Sequence, residues 1–411
     1  MRLKPTVERW TEPQYDLVSS KYCFSSVVFL GYSPSDMTEF GPKTLAEILP
    51  SDEWIDWDVS LSKTVLKRIL NTDDPEEIEI IRAATENVLL KTCGDSVRLR
   101  GLVEFSNRCV SNCYYCGIRR DNRQVPRYSL TLDEIVDCAH RCMEQGYGSI
   151  VLQSGERSDA HFVHNVTETI RAIKAVTRSN ALPQGLGITL SIGEQAPEAY
   201  AEWFSAGAHR YLLRIETSSP ELFAALHPEN QRHETRLDCL RALKRIGYQV
   251  GTGVMIGLPG QTIDDLVKDL LFFRAMDVDM VGMGPYIPHA QSLLPGSPEI
   301  LPAESRLSLG LRMIAATRLF LRDVNIAATT ALRTLANDGY EQGLRHGANV
   351  IMPQVTPLRV CRIYTLYDGK PYLDESTEQG FACLKQRISA IGRQILRDDW
   401  GDSAHFVQRT G

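Results

Sequence analysis

From Val97 onward, short apolar runs alternate with longer segments whose apolar residues recur every three or four positions. The runs Val97–Phe105, Ser149–Gln153, Gly187–Ile192, His209–Arg214, Tyr248–Met255, Asp279–Gly282, Val324–Ala328 and Asn349–Met352 read as strands. Helical periodicity fills Thr131–Gln145, His164–Val176, Glu198–Ala206, Glu234–Ile246, Ile263–Met276 and Glu304–Leu321. Strands apolar on both faces predict a parallel sheet covered by helices. Eight β/α units in about 250 residues predict an α/β fold of the closed (β/α)8 TIM type, with a doubly wound open sheet as the alternative.

The flanks behave differently. Ser60–Lys91 has helical spacing, broken at Asn71-Thr72-Asp73-Asp74-Pro75. Residues 1–57 are aperiodic, with turn signals at Tyr32-Ser33-Pro34, Phe40-Gly41-Pro42 and Leu49-Pro50-Ser51. The expected organisation is an irregular extension wrapped on the main body (1–57), a helical lead-in (58–96), the barrel (97–355) and a helical C-terminal segment closing it (356–411). The apolar run Val27–Leu30 is shorter than a signal-peptide core, so cytoplasm is the default compartment.

Composition narrows the function classes. With 43% hydrophobic residues, the 411-residue chain has material for a sizeable core. No stretch of eighteen apolar residues occurs, which argues against a membrane-spanning helix. The formal charge is −6 and no Lys/Arg run stands out, so a nucleic-acid partner is not expected. Ten cysteines are too sparse for a disulfide scaffold. Cys109, Cys113 and Cys116, however, crowd into eight residues just past the first predicted strand, which points to a metal in a reducing compartment. Three thiolates spaced Cys-x3-Cys-x2-Cys can hold three irons of a 4Fe-4S cubane and leave the fourth open. The loop also lies on the barrel face where active sites form. A structural zinc would want a fourth ligand. The nearest candidates, Cys138, His140 and Cys142, lie on a predicted helix, where Cys138 and Cys142 are expected to pack inward.

This loop, followed by a β/α series, resembles the radical S-adenosylmethionine (SAM) superfamily. Six further blocks resemble its FeFe-hydrogenase maturase HydE family: Glu104–Asn107, Cys116–Asn122, Val151–Glu156, Tyr211–Thr217, Gly257–Leu266 and Gly282–His289. The resemblance runs from about Ser60 to Trp400 and does not reach residues 1–57. It implies that the open iron chelates SAM, whose one-electron cleavage yields a 5′-deoxyadenosyl radical.

Several positions fit that chemistry. In Gln153-Ser154-Gly155-Glu156 the glycine permits close backbone approach and the carboxylate suits an amino group. Arg214 and Glu216 end the fourth strand, where charged groups need a partner or a ligand. Glu216 is assigned to ribose and Arg236 to the cosubstrate carboxylate, against the alternative of an Arg214–Glu216 structural pair. Ser191 is expected on the methionine side. By resemblance, Tyr115, Leu258, Pro285 and Ile287 border the adenine. The resemblance also implies a deeper substrate cavity, with Thr329, Thr330 and Ala331 at its lid. Arg100, Thr189, Met280 and Met352 would line it, and Tyr364 would face it while Tyr367 packs.

Some family members carry three further C-terminal cysteines for an accessory cluster. Here Cys383 and Cys361 are accompanied by Tyr372 and Gly380, so a single cluster is expected. The family's substrate is an iron dicarbonyl–cyanide complex carrying cysteine. Its partners are a one-electron donor, a companion tyrosine lyase (HydG) and a GTPase scaffold (HydF). Three rival functions make different demands on the residues. Biotin synthase needs a second, inner cluster, and the predicted inner strands lack cysteines for it. Methylornithine synthase should bring acidic partners for a substrate ammonium. A non-catalytic iron–sulfur scaffold would not need the SAM blocks.

Overall fold

Eight parallel strand positions close on themselves in the computed structural model, which describes residues 45, 49, 59–294, 299–371 and 378–411. Two helices, α1 (Val59–Asn71) and α2 (Pro75–Cys93), precede the barrel. Asp74 caps α2 by accepting from the Glu76 amide, and proline follows it at the first helical position. The barrel then runs β1 (Ser96–Ser106), α3 (Leu132–Glu144), β2 (Ser149–Ser154), α4 (Ala160–Val176), β3 (Gly187–Ser191), α5 (Pro197–Ala206) and β4 (Ala208–Leu212). It continues with α6 (Pro220–Leu226), α7 (His233–Ile246), β5 (Gln249–Thr252), β6 (Met255–Ile256), α8 (Ile263–Ala275), β7 (Met280–Val281) and β8 (Gly284–Pro285). After α9 (Ala303–Leu321) come β9 (Asn325–Ala328), α10 (Thr330–Leu335), α11 (Gly339–Arg345) and β10 (Val350–Ile351), and β10 pairs with β1 to close the ring. Thr131–Glu134 and Thr262–Asp265 form capping boxes at α3 and α8, so these starts are written locally.

Three features depart from the sequence reading. The fifth and sixth strands, expected as unbroken runs, are each interrupted, and their upper halves pair separately as β6 and β8. Gly253 and Gly282 lie at the breaks, so close that a methyl group on Gly253 would sit 2.0 Å from the Gly282 carbonyl oxygen. The short helix α6 intervenes between β4 and α7, so Arg236 is not on the first helix after its strand. After α12 (Leu358–Cys361) and α13 (Glu378–Ala390), β11 (Gln394–Leu396) adds an unforeseen parallel strand beside β1. The expected wrapping of residues 1–57 falls almost wholly outside the described residues. No helix among those residues is long and apolar enough to cross a membrane.

Below the barrel, residues 400–403 satisfy polar groups on the inner strand ends. The Trp400 carbonyl accepts from Arg210 (2.8 Å) and Ser149 (3.2 Å), and that of Gly401 accepts from Asn325 (2.9 Å) and Arg100 (3.2 Å). Asp402 accepts from Arg210 at 2.6 Å and Gln249 at 3.0 Å. The last helix, α14 (Ala404–Thr410), follows at once, and its His405 bridges Asp277 at 2.7 Å and Asp323 at 3.2 Å. Hydrogen bonds to those carboxylates raise the His405 imidazole from 6.5 to about 10. A raised folded pKa means that the contribution is complete below about pH 6.5 and fades as pH rises through 10. The melting temperature should therefore fall across that interval, and His405→Gln should flatten the slope in scanning fluorimetry. An unchanged slope would refute the assignment.

Candidate active site

The loop carrying Cys109, Cys113 and Cys116 leaves the C-terminal end of β1 and is shaped by its surroundings. Arg127 donates to the carbonyls of Asn107 (2.6 Å), Ile118 (2.7 Å), Arg119 (2.6 Å) and Asn122 (3.0 Å). The Val110 amide donates to Glu156 at 2.9 Å, and the Gly117 amide to Leu366 at 3.0 Å. Gly155 admits the loop to the second strand: a methyl there would meet the Arg108 carbonyl oxygen at 2.5 Å and Cys109 Cβ at 2.8 Å.

All three cysteines are half-buried. Burial pushes each of them up, Cys113 to about 12, and neighbouring thiols raise Cys113 and Cys116 further. Three thiols on one loop, raised chiefly by burial, are a donor set suited to a shared cationic group, and they fit three corners of a 4Fe-4S cluster. Gln231, which the sequence did not flag, reaches to 3.6 Å from Cys113 Sγ. Cys138 and Cys142 are buried on α3, and Cys142 packs where a methyl on Gly101 would be.

The expected SAM positions gather around this loop in three ways. Leu258 belongs to a small apolar cluster with Leu226, Met255 and Tyr286, against which Tyr115 packs. Pro285 lies on β8 and Ile287 is buried just beyond it. Glu216 stands in a left-handed conformation (φ 67°), a costly backbone state for a non-glycine residue and one that concentrates at functional positions. Its Oε2 lies 2.9 Å from Arg214 Nη2, so the ion pair exists, but neither atom makes an aligned hydrogen bond. Both remain able to engage a ligand.

Two expectations need correction. Glu156 is not free for an amino group: its carboxylate accepts from Ser111 at 2.5 Å and from the Glu194 amide at 2.8 Å, tying the cysteine loop to the third strand's loop. Arg236 donates to Glu194 and to the Arg214 carbonyl, both at 2.5 Å, so it supports Arg214 from behind. Ser154 turns its hydroxyl to the Gly155 carbonyl (2.8 Å), and Ser191 ends β3 beside Gln153 in register.

Deeper in the barrel, Arg100, Thr189, Met280 and Met352 line one small cavity of about 20 Å³. Arg100 donates to Met280 Sδ at 2.8 Å, and its Nε has no hydrogen-bond partner. Thr189 accepts from Arg210 at 3.0 Å. Thr329, Thr330, Ala331 and Tyr364 are not on that lining. The Thr329 hydroxyl is buried without a partner beside Gly284, where Ala331 also packs. Thr330 instead faces α11, with its hydroxyl 3.4 Å from that of Tyr340, so it is not a lid residue.

Tyr364 is fully buried near Glu104. Tyr367, expected to pack, has Glu104 and Arg214 as charged neighbours. The sequence reading placed no carboxylate in this region, yet Glu104 on β1 is 1% exposed. One of its oxygens is held by Lys370, and the other accepts from Gln354 at 2.8 Å. Burial pushes its carboxyl up while Lys370 pulls it down.

Residues 103–273 match the model of the radical SAM superfamily. The FeFe-hydrogenase maturase subunit HydE of Thermotoga maritima is 43% identical, over 83% of this chain and 93% of that protein. The 3-methylornithine synthase of Methanosarcina barkeri is 26% identical over 82% and 91%. Among solved structures, methylornithine synthase (PylB) superposes with a TM-score of 0.67 at 23% identity, covering 82% of this chain and 94% of that one.

Proposed function

Because this chain belongs to the FeFe-hydrogenase maturase HydE family of the radical SAM superfamily, we propose that its substrate is an iron dicarbonyl–cyanide complex carrying cysteine. The protein is a radical SAM enzyme of hydrogenase maturation, and the family brings a 4Fe-4S cluster and SAM. When bound, these supply a one-electron cleavage that generates an organic radical. Cys109, Cys113 and Cys116 would hold the cluster, and Glu216 and Arg214 would hold the polar end of the cosubstrate. Tyr115, Leu258, Pro285 and Ile287 would wall its ring. A tyrosine lyase would supply the organometallic substrate and a GTPase scaffold would receive the product. One cluster per chain is expected.

The observation that carries the substrate reading is the polarity of the inner region. Arg100 Nε is an unpartnered buried donor on the inner cavity, suited to cyanide or carboxylate, and Thr329 Oγ1, off that lining, is a second unpartnered hydroxyl that can donate. The carboxylate that a lysine ammonium would need is present as Glu104, but Lys370 and Gln354 already occupy it. That distinguishes the maturase reading from an amino-acid mutase like the methylornithine synthases.

Three measurements test this. Reconstituted protein should consume the iron–cysteine complex, and lysine should neither stimulate 5′-deoxyadenosine formation nor be rearranged; methylornithine production would overturn the substrate. Thr329→Val should impair conversion with iron content intact. Glu216→Ala should weaken SAM binding by about 10-fold, the value of one charge-assisted hydrogen bond, without loss of iron. Unchanged affinity would return Glu216 to a structural pair.

A further inference from the structure

We infer that the outer face of the cysteine loop docks an acidic one-electron carrier protein, an inference that rests on the radical SAM reading above. Reductive cleavage of SAM consumes an electron that the amino-acid side chains do not supply. Electron tunnelling falls steeply with distance, so the donor must come close to the cluster's ligands. Val110, between Cys109 and Cys113 on this loop, is 52% exposed. This loop is therefore a short route from solvent to the cluster.

The charge of the face is opposite to that of the protein. Between Ser106 and Arg127 stand five arginines and one acidic residue, Asp121, in a chain whose formal charge is −6. Two of the arginines are structural: Arg127 staples the loop carbonyls, and Arg119 bonds the Gln291 carbonyl. Arg108, Arg120 and Arg123 are exposed. They share one neighbourhood, since Arg119, Arg120 and Arg123 all act on the Asp121 carboxylate and Arg108 acts on Arg127. Arg120 pairs with Asp121 at 2.8 Å, but an exposed pair like this one is weak.

Arg232, exposed beside Gln231, is offset by the exposed Glu229 and Glu234, so the basic face is confined to Arg108, Arg120 and Arg123. Leu293, 56% exposed, is bonded to the loop through the Tyr114 carbonyl at 2.7 Å and adds a second apolar contact to Val110. Apolar contacts ringed by unneutralised cations suit a small acidic protein. The remaining surface, net acidic, would repel such a partner and leave this orientation as the favoured encounter.

The test uses the full-length reconstituted protein, a reduced acidic ferredoxin as the probe, and the pair Arg108→Glu/Arg123→Glu, which spares the stapling arginines. Ferredoxin binding should weaken at least 10-fold at low salt, with the difference closing in 0.5 M salt, in line with screening over about 10 Å or less. Ferredoxin-driven deoxyadenosine formation should fall with it, while cleavage driven by photoreduced deazaflavin stays at the wild-type rate. Arg108→Gln/Arg123→Gln, with unchanged iron content, should lose an intermediate amount. Equal binding by wild type and reversal variant, or no binding by wild type, would overturn the inference. Failure of wild-type protein to cleave SAM even with deazaflavin would instead bring down the radical SAM reading beneath it.

Discussion

Serine in place of Cys109, Cys113 or Cys116 should leave a folded chain with no 4Fe-4S cluster and SAM cleavage at background. All three ligands come from one loop, so removing a thiolate leaves two sulfurs for a group that needs three from the protein. The fold should survive, because the loop's shape does not depend on the metal. Arg127 holds four loop carbonyls and Gly155 receives the loop against the second strand. Iron and sulfide assays, the electron paramagnetic resonance signal of the reduced protein and circular dichroism read the three parts separately. Full iron content in any one of these variants would overturn the ligand assignment, and so would a persistent zinc in the wild type.

The second large effect lies at the opposite end of the barrel. Arg210 is fully buried inside the ring, and Asp402 supplies its carboxylate at 2.6 Å. Burial alone would push the Asp402 carboxyl up, but His209 and Arg210 overcome this and hold it well below the usual carboxylate range. A depressed pKa places this contribution above about pH 4, to be lost as acid protonates the group. Asp402→Ala should strand the Arg210 charge and remove the acceptor that Gln249 and His209 share. Stranding a buried charge costs about 3–5 kcal/mol. The lower end is expected, because Asp402 is 28% exposed and water can reach its place. Urea unfolding at pH 7 measures this, and Asp402→Ala/Arg210→Met should recover part of the loss. A change below about 1 kcal/mol for the single variant would refute the account.

Much of the fold was legible in the residues themselves. The two hydrophobic periods located eight strand positions and six of the barrel helices to within a few residues, because those signals depend on neighbours two to four residues away, but not β8, α6, α10 or α11. Capping at Thr131 and Thr262 is local in the same sense. So is the cysteine loop, whose three ligands lie within eight residues. What surrounds the loop was legible only as resemblance. Spacing gave no sign of the left-handed backbone at Glu216 or of its misaligned 2.9 Å contact with Arg214.

Other features needed the closed ring. Glu104 meets Lys370 across 266 positions of sequence, and Arg210 meets Asp402 across 192. Spacing along a chain cannot encode which distant charge will neutralise a buried one. Thr329 and Thr330 look equivalent as neighbours, yet the chain enters α10 between them. The helical turn swings Thr330 to Tyr340, while Thr329 is left with a buried, unpartnered hydroxyl. The sequence by itself thus determined the barrel and grouped the three cysteines proposed as cluster ligands, which arise from short-range periodicity and adjacency. The tertiary structure alone decided the charge balance of the inner region, because burial and pairing are properties of segments brought together only by closure.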